Sequence, residues 1–209
     1  MGEDGKGMGN RGRFGKYGEV KRLDRLRQSG FFYTKPKPKP DPDKRGLRCG
    51  SMKKRKDPIS IRSAERGDLA FIRMLSEGVF RVYGPYEEMV LQWYASGGTD
   101  TVTALEGDRP VGFAMLGPVN REPPYPVTAE LLAIAVTPGR ENRGIGGLLL
   151  KTVIRRARDL DVEFTVLHTA VGNQRGRGLF EKHGFLPSSV KKGFYPEGQD
   201  ALMMVRPLK

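Results

Sequence analysis

Hydrophobic and polar residues follow two different rhythms between residues 58 and 209. Apolar residues at every second position predict strands, and apolar residues three and four apart predict helices. Asp68 stands directly before the first helical run and can cap it. In chain order, the pattern predicts a strand at 59–62, helices at 69–80 and 86–94, strands at 101–105, 111–116 and 131–136, a helix at 147–159, a strand at 164–168, a helix at 174–183, and strands at 190–195 and 201–205.

The way in which these strands are connected defines the expected fold class. Residues 101–105 and 111–116 are joined by a short polar turn, as in a hairpin. Residues 131–136 form a continuous apolar run, which indicates a strand buried on both faces. The order βααββ, then βαβα, then ββ therefore predicts an α/β domain with a sheet of mixed direction flanked by helices.

Residues 1–57 differ in composition from the rest of the chain. They hold 18 Lys and Arg against 7 Asp and Glu, whereas residues 58–209 hold 19 against 17, so most of the net charge of +13 lies in the first segment. Ten glycines and the alternating Lys-Pro run at 35–40 favour extended, solvated chain. We interpret 1–57 as a disordered basic tail and 58–209 as the folded domain. Two alternatives for the tail are that translation begins at Met52 or that the basic residues make a weak contact with nucleic acid.

Several functional classes are excluded by composition. No run approaches the roughly 18 apolar residues that span a bilayer, and the first residues lack the apolar stretch of a secretory signal. Cys49 is the only cysteine, and the two histidines stand in no Cys/His cluster at metal-ligand spacing. We expect a cytoplasmic protein with no membrane partner and no metal.

A glycine-rich turn joins the strand at 131–136 to the following helix, and it reads Arg143-Gly144-Ile145-Gly146-Gly147. The first amides of a helix have no partner within the helix and lie at the positive end of its dipole. Glycines also let an anion approach the backbone closely. A strand, a glycine-rich turn and an amphipathic helix in succession therefore predict a phosphate site.

Two motifs together resemble the GNAT superfamily of acetyl-CoA-dependent N-acetyltransferases. The first is Ile134-Ala135-Val136-x-Pro138 followed by Asn142-Arg143-Gly144-Ile145-Gly146. The second consists of Asn173, Gly176, Leu179-Phe180 and Gly184-Phe185 at the spacing of the family. The resemblance covers residues 58–209. It implies a mixed, mostly antiparallel central sheet, acetyl-CoA as co-substrate, and transfer of an acetyl group to an amine.

The resemblance also implies cofactor-binding positions. Ala135 and Val136 would lie where the strand splays from its neighbour and would pair with the pantetheine arm. The backbone amides of residues 143–147 would hold the pyrophosphate, and Asn173 would bond the pantetheine or a water near it. The Val136 amide would also face the carbonyl oxygen as charge develops on it.

Three departures from the family pattern affect these roles. Glu141 stands where the family has Gln or Arg, and its carboxylate near a pyrophosphate is unfavourable unless it turns to solvent or pairs with Arg140 or Arg143. Gly176 replaces the common Ala, at roughly 1 kcal/mol of helix propensity. Phe180 takes the place, beside the cofactor, of a Tyr that is the general acid in many members, and a phenyl ring cannot donate a proton.

Amine acetylation needs a base for the amine and an acid for the departing thiolate. His168 is the first candidate base, because several protein N-terminal acetyltransferases of the family carry a His there and an imidazole titrates at about pH 6.5. Glu130 is the second candidate base, and the alternative for each is an ordinary structural residue. Tyr195 is the candidate acid, since residues 194–204 resemble the ending of the ribosomal-protein N-terminal acetyltransferase branch. We interpret His183 as the solvated end of its helix.

Aromatic residues line both expected walls of the acceptor groove. Tyr83 and Tyr86 would form one wall, and Phe194 and Tyr195 the other. Neither wall has the acidic cluster that a polycation requires. The sequence therefore predicts a protein N-terminus or a modest small amine as acceptor. The remaining alternative is a non-catalytic acyl-CoA-binding module attached to RNA or the ribosome by its basic tail.

Overall fold

The computed structural model describes residues 57–209, which form a seven-stranded sheet with helices on both faces. The strands are β1 (Ile59–Ser63), β2 (Asp100–Glu106), β3 (Arg109–Leu116), β4 (Thr128–Val136), β5 (Phe164–Ala170), β6 (Leu186–Lys191) and β7 (Ala201–Pro207). The helices are α1 (Leu69–Phe80), α2 (Tyr86–Ala95), α3 (Ile145–Asp159) and α4 (Gln174–Lys182). The predicted tail comprises residues 1–57, and all of it except Asp57 lies outside the described part of the chain.

The strand order in the sheet is β1-β2-β3-β4-β5-β7-β6. Every neighbouring pair is antiparallel except β4 and β5, which are parallel because α3 crosses over between them. The predicted mixed, mostly antiparallel sheet flanked by helices is therefore confirmed. Among residues 57–209, no helix has both the length and the apolar character that a bilayer span requires.

Two apolar layers fix the helices to the sheet. On one face, α3 and Phe180 of α4 pack on the sheet around Leu149, Leu150 and Leu167. On the other face, α1 and α2 pack around Ile72, Val90 and Phe113. The helical spacing of the apolar residues in α1 and α3 accounts for these contacts, since it directs one stripe of each helix toward the sheet.

A bulge in β4 reverses which side chains face which layer. Met115 of β3 lies opposite Ala133, and the next residue, Leu116, lies opposite Leu131, so Leu132 is the extra residue. Leu131 packs in the α3 layer, whereas Ala133 packs in the α1 layer. A strict two-residue alternation would place both on the same side. Because apolar layers cover both faces of β4, its sequence is apolar throughout.

The parallel strands β4 and β5 separate at their carboxyl ends. Their paired residues run only from Thr128 with Phe164 to Leu131 with Leu167. β4 nevertheless continues to Val136, where it is held on its other edge by β3, and β5 continues to Ala170, where it is held by β7. A wedge-shaped gap therefore opens in the middle of the sheet, beside residues 133–136.

Most predicted elements are present, with one error. The predicted strand at 190–195 is wrong, because β6 occupies Leu186–Lys191 instead. All six of its residues are exposed, so this edge strand shows no apolar alternation in the sequence. Gly193 has a positive φ of 55° and its amide bonds to Asp200, which turns the chain away before Phe194. The start of α3 is two residues earlier than predicted.

Asp68 stands at the start of α1 as predicted, but its carboxylate caps no amide of that helix. It accepts hydrogen bonds from the Arg62 guanidinium at 2.7 and 3.0 Å, from the Glu65 amide at 2.8 Å and from Thr103 Oγ1 at 3.1 Å. Burial raises the pKa of Asp68, but the bonds from Arg62 and Glu65 outweigh burial and hold that pKa below its ordinary value. The group ties α1 to β1 and β2.

Candidate functional site

The amino end of α3 presents unpaired backbone amides next to the gap between β4 and β5. The first amide that bonds within the helix is that of Leu148, which reaches the Gly144 carbonyl at 3.0 Å, so the amides of residues 145–147 precede the ladder. Gly144 occupies the N-cap position with a positive φ of 79° and has no side chain to accept those amides. This arrangement suits an anion.

Glu106 of β2 holds both arginines of the segment that leads into α3. Its Oε2 atom lies 2.8 Å from Arg140 Nη1, and its Oε1 atom lies 2.5 Å from Arg143 Nη2. The Glu106 side chain is only 9% exposed, so these ion pairs are sheltered from water. We call residues 140–147 the phosphate turn. Because Glu106 at the end of β2 holds both arginine side chains, the main hydrogen-bond donors of the phosphate turn are its backbone amides.

Glu141 adopts the first of the two arrangements that the sequence allows, since it is exposed to solvent and pairs with neither Arg140 nor Arg143. It is exposed, and its Oε2 accepts a hydrogen bond from the Gly139 amide at 2.6 Å. It therefore turns away from the turn's centre and stabilises its own loop. The acid that pairs with Arg140 and Arg143 is Glu106 instead.

The gap and the phosphate turn together fit an elongated ligand that bears phosphate groups. Ala135 and Val136 lie beyond the last β4–β5 pair, so one edge of their backbone faces the gap. The phosphate turn lies a few residues further along the same chain segment. Acetyl-CoA has a pantetheine arm of amide groups followed by a pyrophosphate, which matches this order of donors. The individual contacts of Ala135, Val136, Arg143, Gly144 and Ile145 with it stay predictions.

Asn173 caps α4. Its Oδ1 accepts from the Gly176 amide at 3.0 Å, and its Nδ2 donates to Thr169 Oγ1 at 3.1 Å. A Cβ at Gly176 would lie 2.4 Å from Asn173 Nδ2, which explains why glycine stands here despite its low helix propensity. Among residues 57–209, no atom lies within 4 Å of a Cβ placed at Gly178, so no contact explains the glycine at that position. The side chain of Asn173 is thus held by the protein, and its contact with pantetheine stays a prediction.

α4 packs against the start of α3 through Leu179 and His183. A Cβ at Gly146 would lie 3.3 Å from Leu179 Cδ2, and a Cβ at Gly147 would lie 3.4 Å from both Cε1 and Nε2 of His183. His183 Nδ1 lies 2.8 Å from the Leu179 carbonyl oxygen. The interpretation of His183 as a solvated helix end is therefore wrong, because its imidazole is partly buried between two helices.

Phe180 belongs to the apolar layer under α3. Its side chain is 5% exposed and meets Phe185 edge to face, with the ring centroids 5.9 Å apart. This packing accounts for a phenyl ring at the position, since a buried hydroxyl would need a partner. This packing does not test the contact of Phe180 with the cofactor, which stays a prediction.

His168 and Glu130 form a hydrogen-bonded pair at the other end of the gap. In the register of β4 and β5, Glu130 lies opposite Val166, so His168 is its diagonal neighbour on the same face. Glu130 Oε1 lies 2.6 Å from His168 Nδ1. Because a carboxylate accepts, Nδ1 carries the proton and the neutral ring keeps its lone pair on Nε2. Within residues 57–209, Nε2 is buried and has no hydrogen-bond partner.

Phe194 covers the imidazole of His168. The two rings are stacked at 15°, with centroids 4.7 Å apart, and Phe194 itself remains 38% exposed. The side chain of His168 is only 9% exposed as a result. The sequence names both His168 and Glu130 as alternative bases, and the structure brings them together as one unit.

Tyr195 is at the centre of an aromatic cluster that joins the two predicted walls. Its ring stacks on Tyr83 with centroids 4.6 Å apart and meets Tyr86 at 5.9 Å and Phe194 at 5.1 Å. The Tyr86 hydroxyl donates to the carbonyl of Leu132 in the β4 bulge at 2.9 Å. The two walls are therefore in contact, and the bulge fixes the position of one of them.

The hydroxyl of Tyr195 keeps its proton strongly. Burial raises its pKa above the ordinary value, and the nearby Tyr83 and Glu130 raise it further. Burial likewise raises the pKa of Tyr83. A phenol in this environment donates hydrogen bonds but releases its proton reluctantly. The role of Tyr195 as general acid stays a prediction.

A cleft of about 690 Å³ lies beyond the end of β5, and Tyr83 is the residue of the two walls that lines it. Gln199 spans its mouth, donating from Nε2 to the Val82 carbonyl at 2.7 Å. Asp200, the one acid of its lining, pairs with Lys192 at 2.7 Å. Among residues 57–209 no cluster of His, Cys, Asp and Glu could hold a metal ion. The lining residues are Val82, Tyr83, Ala170, Val171, Gly172, Asn173, Gly198, Gln199 and Asp200.

Sequence reasoning missed Glu106, Gln199 and the packing of His183. A carboxylate at the end of a hairpin strand and an amide before β7 are common surface features, so neither position carries a signal of its own. The only available hint for Glu106 was the pair of arginines in the phosphate turn, which require a counter-charge.

Comparisons with known proteins agree with this geometry. The model of the acetyltransferase (GNAT) family matches residues 69–185. An N-alpha-acetyltransferase of Saccharolobus solfataricus is 34% identical over 79 residues, which are 37% of this chain and 47% of the relative. The ribosomal protein bS18-alanine N-acetyltransferase of Salmonella typhimurium is 31% identical over 104 residues, 48% of this chain and 66% of the relative.

The fold is also similar to that of a solved structure. A GNAT family acetyltransferase from Elizabethkingia anophelis with acetyl-CoA bound is 25% identical and has a TM-score of 0.59 over 73% of this chain and 99% of that one. The chain spans about half the length of the curated relatives it matches first.

Proposed function

This chain belongs to the acetyltransferase (GNAT) family and uses acetyl-CoA as its donor, and we propose that its acceptor is the α-amine at the N-terminus of a protein. The observation that carries the proposal is the His168–Glu130 pair, 2.6 Å apart, covered by Phe194, which in turn meets Tyr195 of the aromatic cluster. Relatives described as N-alpha-acetyltransferase and ribosomal protein bS18-alanine N-acetyltransferase support the same acceptor class.

His168 acts as the base in this proposal. Acetyl-CoA supplies an acetyl group activated as a thioester. The amine nitrogen loses a proton to His168 Nε2 and forms a bond to the thioester carbonyl carbon, and the imidazolium that forms is stabilised by the Glu130 carboxylate on Nδ1. The carbon–sulfur bond breaks, and coenzyme A leaves as a thiol after its sulfur takes a proton, for which Tyr195 is the candidate donor. Glu130 is thus a positioning residue that fixes the tautomer of His168. The stacked Phe194 ring shelters the imidazole from bulk water.

The charge of the cleft favours a single amine over a polycation. Within residues 57–209, Asp200 is the only acid that lines the cleft, and it is paired with Lys192, so the described lining offers no acidic cluster for several ammonium groups. Glu130 offers one carboxylate near Tyr195, and its side chain is 41% exposed. These features match the end of a polypeptide.

The acceptor is tested by acetyl transfer to a peptide array. Each peptide carries one internal lysine and is presented with a free α-amine and, as the matched control, with a formylated α-amine. We expect transfer to free α-amines and none to the formylated peptides.

Three other outcomes contradict the proposal. Transfer to lysine in both peptide sets would make the enzyme a side-chain acetyltransferase. Transfer to small-molecule amines but to no peptide would favour a small-molecule acceptor. Tight acetyl-CoA binding without turnover on any amine would favour an acyl-CoA-binding module.

A further inference from the structure

We propose that His183 is a further coenzyme A-binding residue, whose imidazolium contacts a phosphate group of the coenzyme and strengthens its binding as the pH falls. The inference concerns the donor end of the gap and is independent of which amine accepts the acetyl group.

The position of the imidazole is the first support. It lies against Gly147 in the first turn of α3, where a Cβ would be 3.4 Å from its Nε2 and Cε1 atoms. Because Gly147 has no side chain, the edge of the His183 ring borders the helix start directly. The ring is therefore next to the amides of residues 145–147, the group of donors that suits a phosphate.

The hydrogen bonding of the ring is the second support. The Leu179 carbonyl can only accept, so His183 Nδ1 at 2.8 Å carries a proton in both charge states. Nε2 is therefore the atom that gains or loses the titrating proton. Within residues 57–209, Nε2 has no hydrogen-bond partner, and it is not among the enclosed side-chain atoms. It is free to donate to an anion when protonated.

Most of the charged groups around the His183 ring are positive. The positive amino end of α3 faces the ring, and Arg206 of β7 donates to the His183 backbone carbonyl. Lys182 precedes it on α4, and Lys151 stands one turn beyond Gly147 on α3. The acid next to these residues in the sequence is Glu181 of α4. A bound phosphate would reverse the balance and favour the imidazolium, so phosphate binding and proton binding assist each other.

The test measures affinity by titration calorimetry on the full chain at about pH 6 and about pH 8. His183→Gln is the variant, because a Gln amide can still donate to the Leu179 carbonyl but carries no charge. Wild type and variant are compared with coenzyme A, with dephospho-coenzyme A, which keeps the pyrophosphate, and with pantetheine, which has no phosphate. For each ligand, the ratio of the wild-type affinity to the variant affinity cancels the effect of titration of the ligand itself.

We expect wild type to bind coenzyme A about fivefold more tightly than His183→Gln at the lower pH and about equally at the higher pH. An effect that persists with dephospho-coenzyme A assigns the contact to the pyrophosphate, and an effect that disappears assigns it to the 3′-phosphate. The proposal is overturned if the ratio of the wild-type affinity to the variant affinity for coenzyme A is the same at both pH values. It is also overturned if that ratio shows the same pH dependence with pantetheine, which has no phosphate.

A second measurement is independent of the His183 variant. The chain has two histidines, so His168→Gln leaves His183 as its single imidazole. We expect its Cε1 proton resonance to stay in the protonated position to a higher pH in the coenzyme A complex than in the free protein. Identical titration curves with and without coenzyme A would overturn the proposal even if the affinities differ.

Discussion

The two ends of the gap between β4 and β5 are built in different ways. At the donor end, the phosphate turn presents backbone amides from one continuous segment. At the acceptor end, side chains come from separate segments, with Glu130 on β4, His168 on β5, Tyr83 after α1 and Phe194 before β7. The donor is the same in every turnover and needs a fixed chain path, whereas side chains can be replaced without moving the backbone. Substitutions at the acceptor end should therefore change catalysis and leave donor binding intact.

The largest expected effect is that of His168→Gln. Loss of a general base typically lowers a rate by about 10²- to 10⁴-fold, and we expect a fall in kcat of about 10²- to 10³-fold. The dissociation constant of acetyl-CoA should stay within about twofold, because the phosphate turn is untouched. Steady-state kinetics on a peptide acceptor and calorimetry with acetyl-CoA measure the two quantities.

Glu130→Gln is the matched companion of this variant. It keeps a hydrogen-bond acceptor for His168 Nδ1 but removes the charge that stabilises the imidazolium, so we expect an intermediate fall of about tenfold in kcat. Equal loss in both variants would mean that Glu130 is itself the base. A large loss of acetyl-CoA affinity in either would contradict the separation of the two ends.

The next effect is expected from Asp68→Asn, which removes the carboxylate that ties the start of α1 to β1 and β2. We expect the free energy of unfolding to fall by about 2–3 kcal/mol near neutral pH, since a buried carboxylate with an Arg partner is replaced. The folded-state pKa of Asp68 is lowered, so its contribution is present above the unfolded-state value of about 4 and is lost as the pH falls through the folded-state pKa.

Urea unfolding at about pH 7 and about pH 3 measures this effect. Wild type and Asp68→Asn should converge toward the lower pH, and a difference that is constant with pH would contradict the assignment. Glu77→Gln, an exposed carboxylate on the same helix, is the control and should change stability by less than about 0.5 kcal/mol.

A smaller effect is expected at the donor end from Glu106→Gln. The variant leaves Arg140 and Arg143 without their shared counter-charge, and both are partly exposed, so we expect a loss of about 1–2 kcal/mol of stability. The affinity for acetyl-CoA should fall about threefold, as the phosphate turn loses its anchor, with kcat little changed. Glu141→Gln is the control, since its carboxylate pairs with neither arginine. Equal effects in the two variants would show that Glu106 is no special anchor.

The same contrast explains which features could be predicted from the sequence. The phosphate turn is a local motif, so its glycines and the helix after it were sufficient to indicate an anion site. The pairing of Glu130 with His168 depends on the register of β4 against β5, which hydrophobic spacing does not specify across a helical crossover. The stacking of Phe194 depends in addition on the turn at Gly193, and its neighbour β6 was misplaced because an exposed edge strand has no apolar rhythm.

The smallest expected effect concerns the stability of α4, which begins after its cap residue Asn173. Gly178→Ala should raise the free energy of unfolding by about 0.5–1 kcal/mol, because nothing within 4 Å opposes a Cβ and alanine has the higher helix propensity. Gly176→Ala gains the same propensity, but its Cβ would lie 2.4 Å from Asn173 Nδ2 and displace a cap of about 1 kcal/mol, so the net change should be near zero. Urea unfolding of both variants measures the difference. Equal stabilisation by the two variants would mean that Asn173 moves aside at no cost and that its cap does not contribute to the stability of α4.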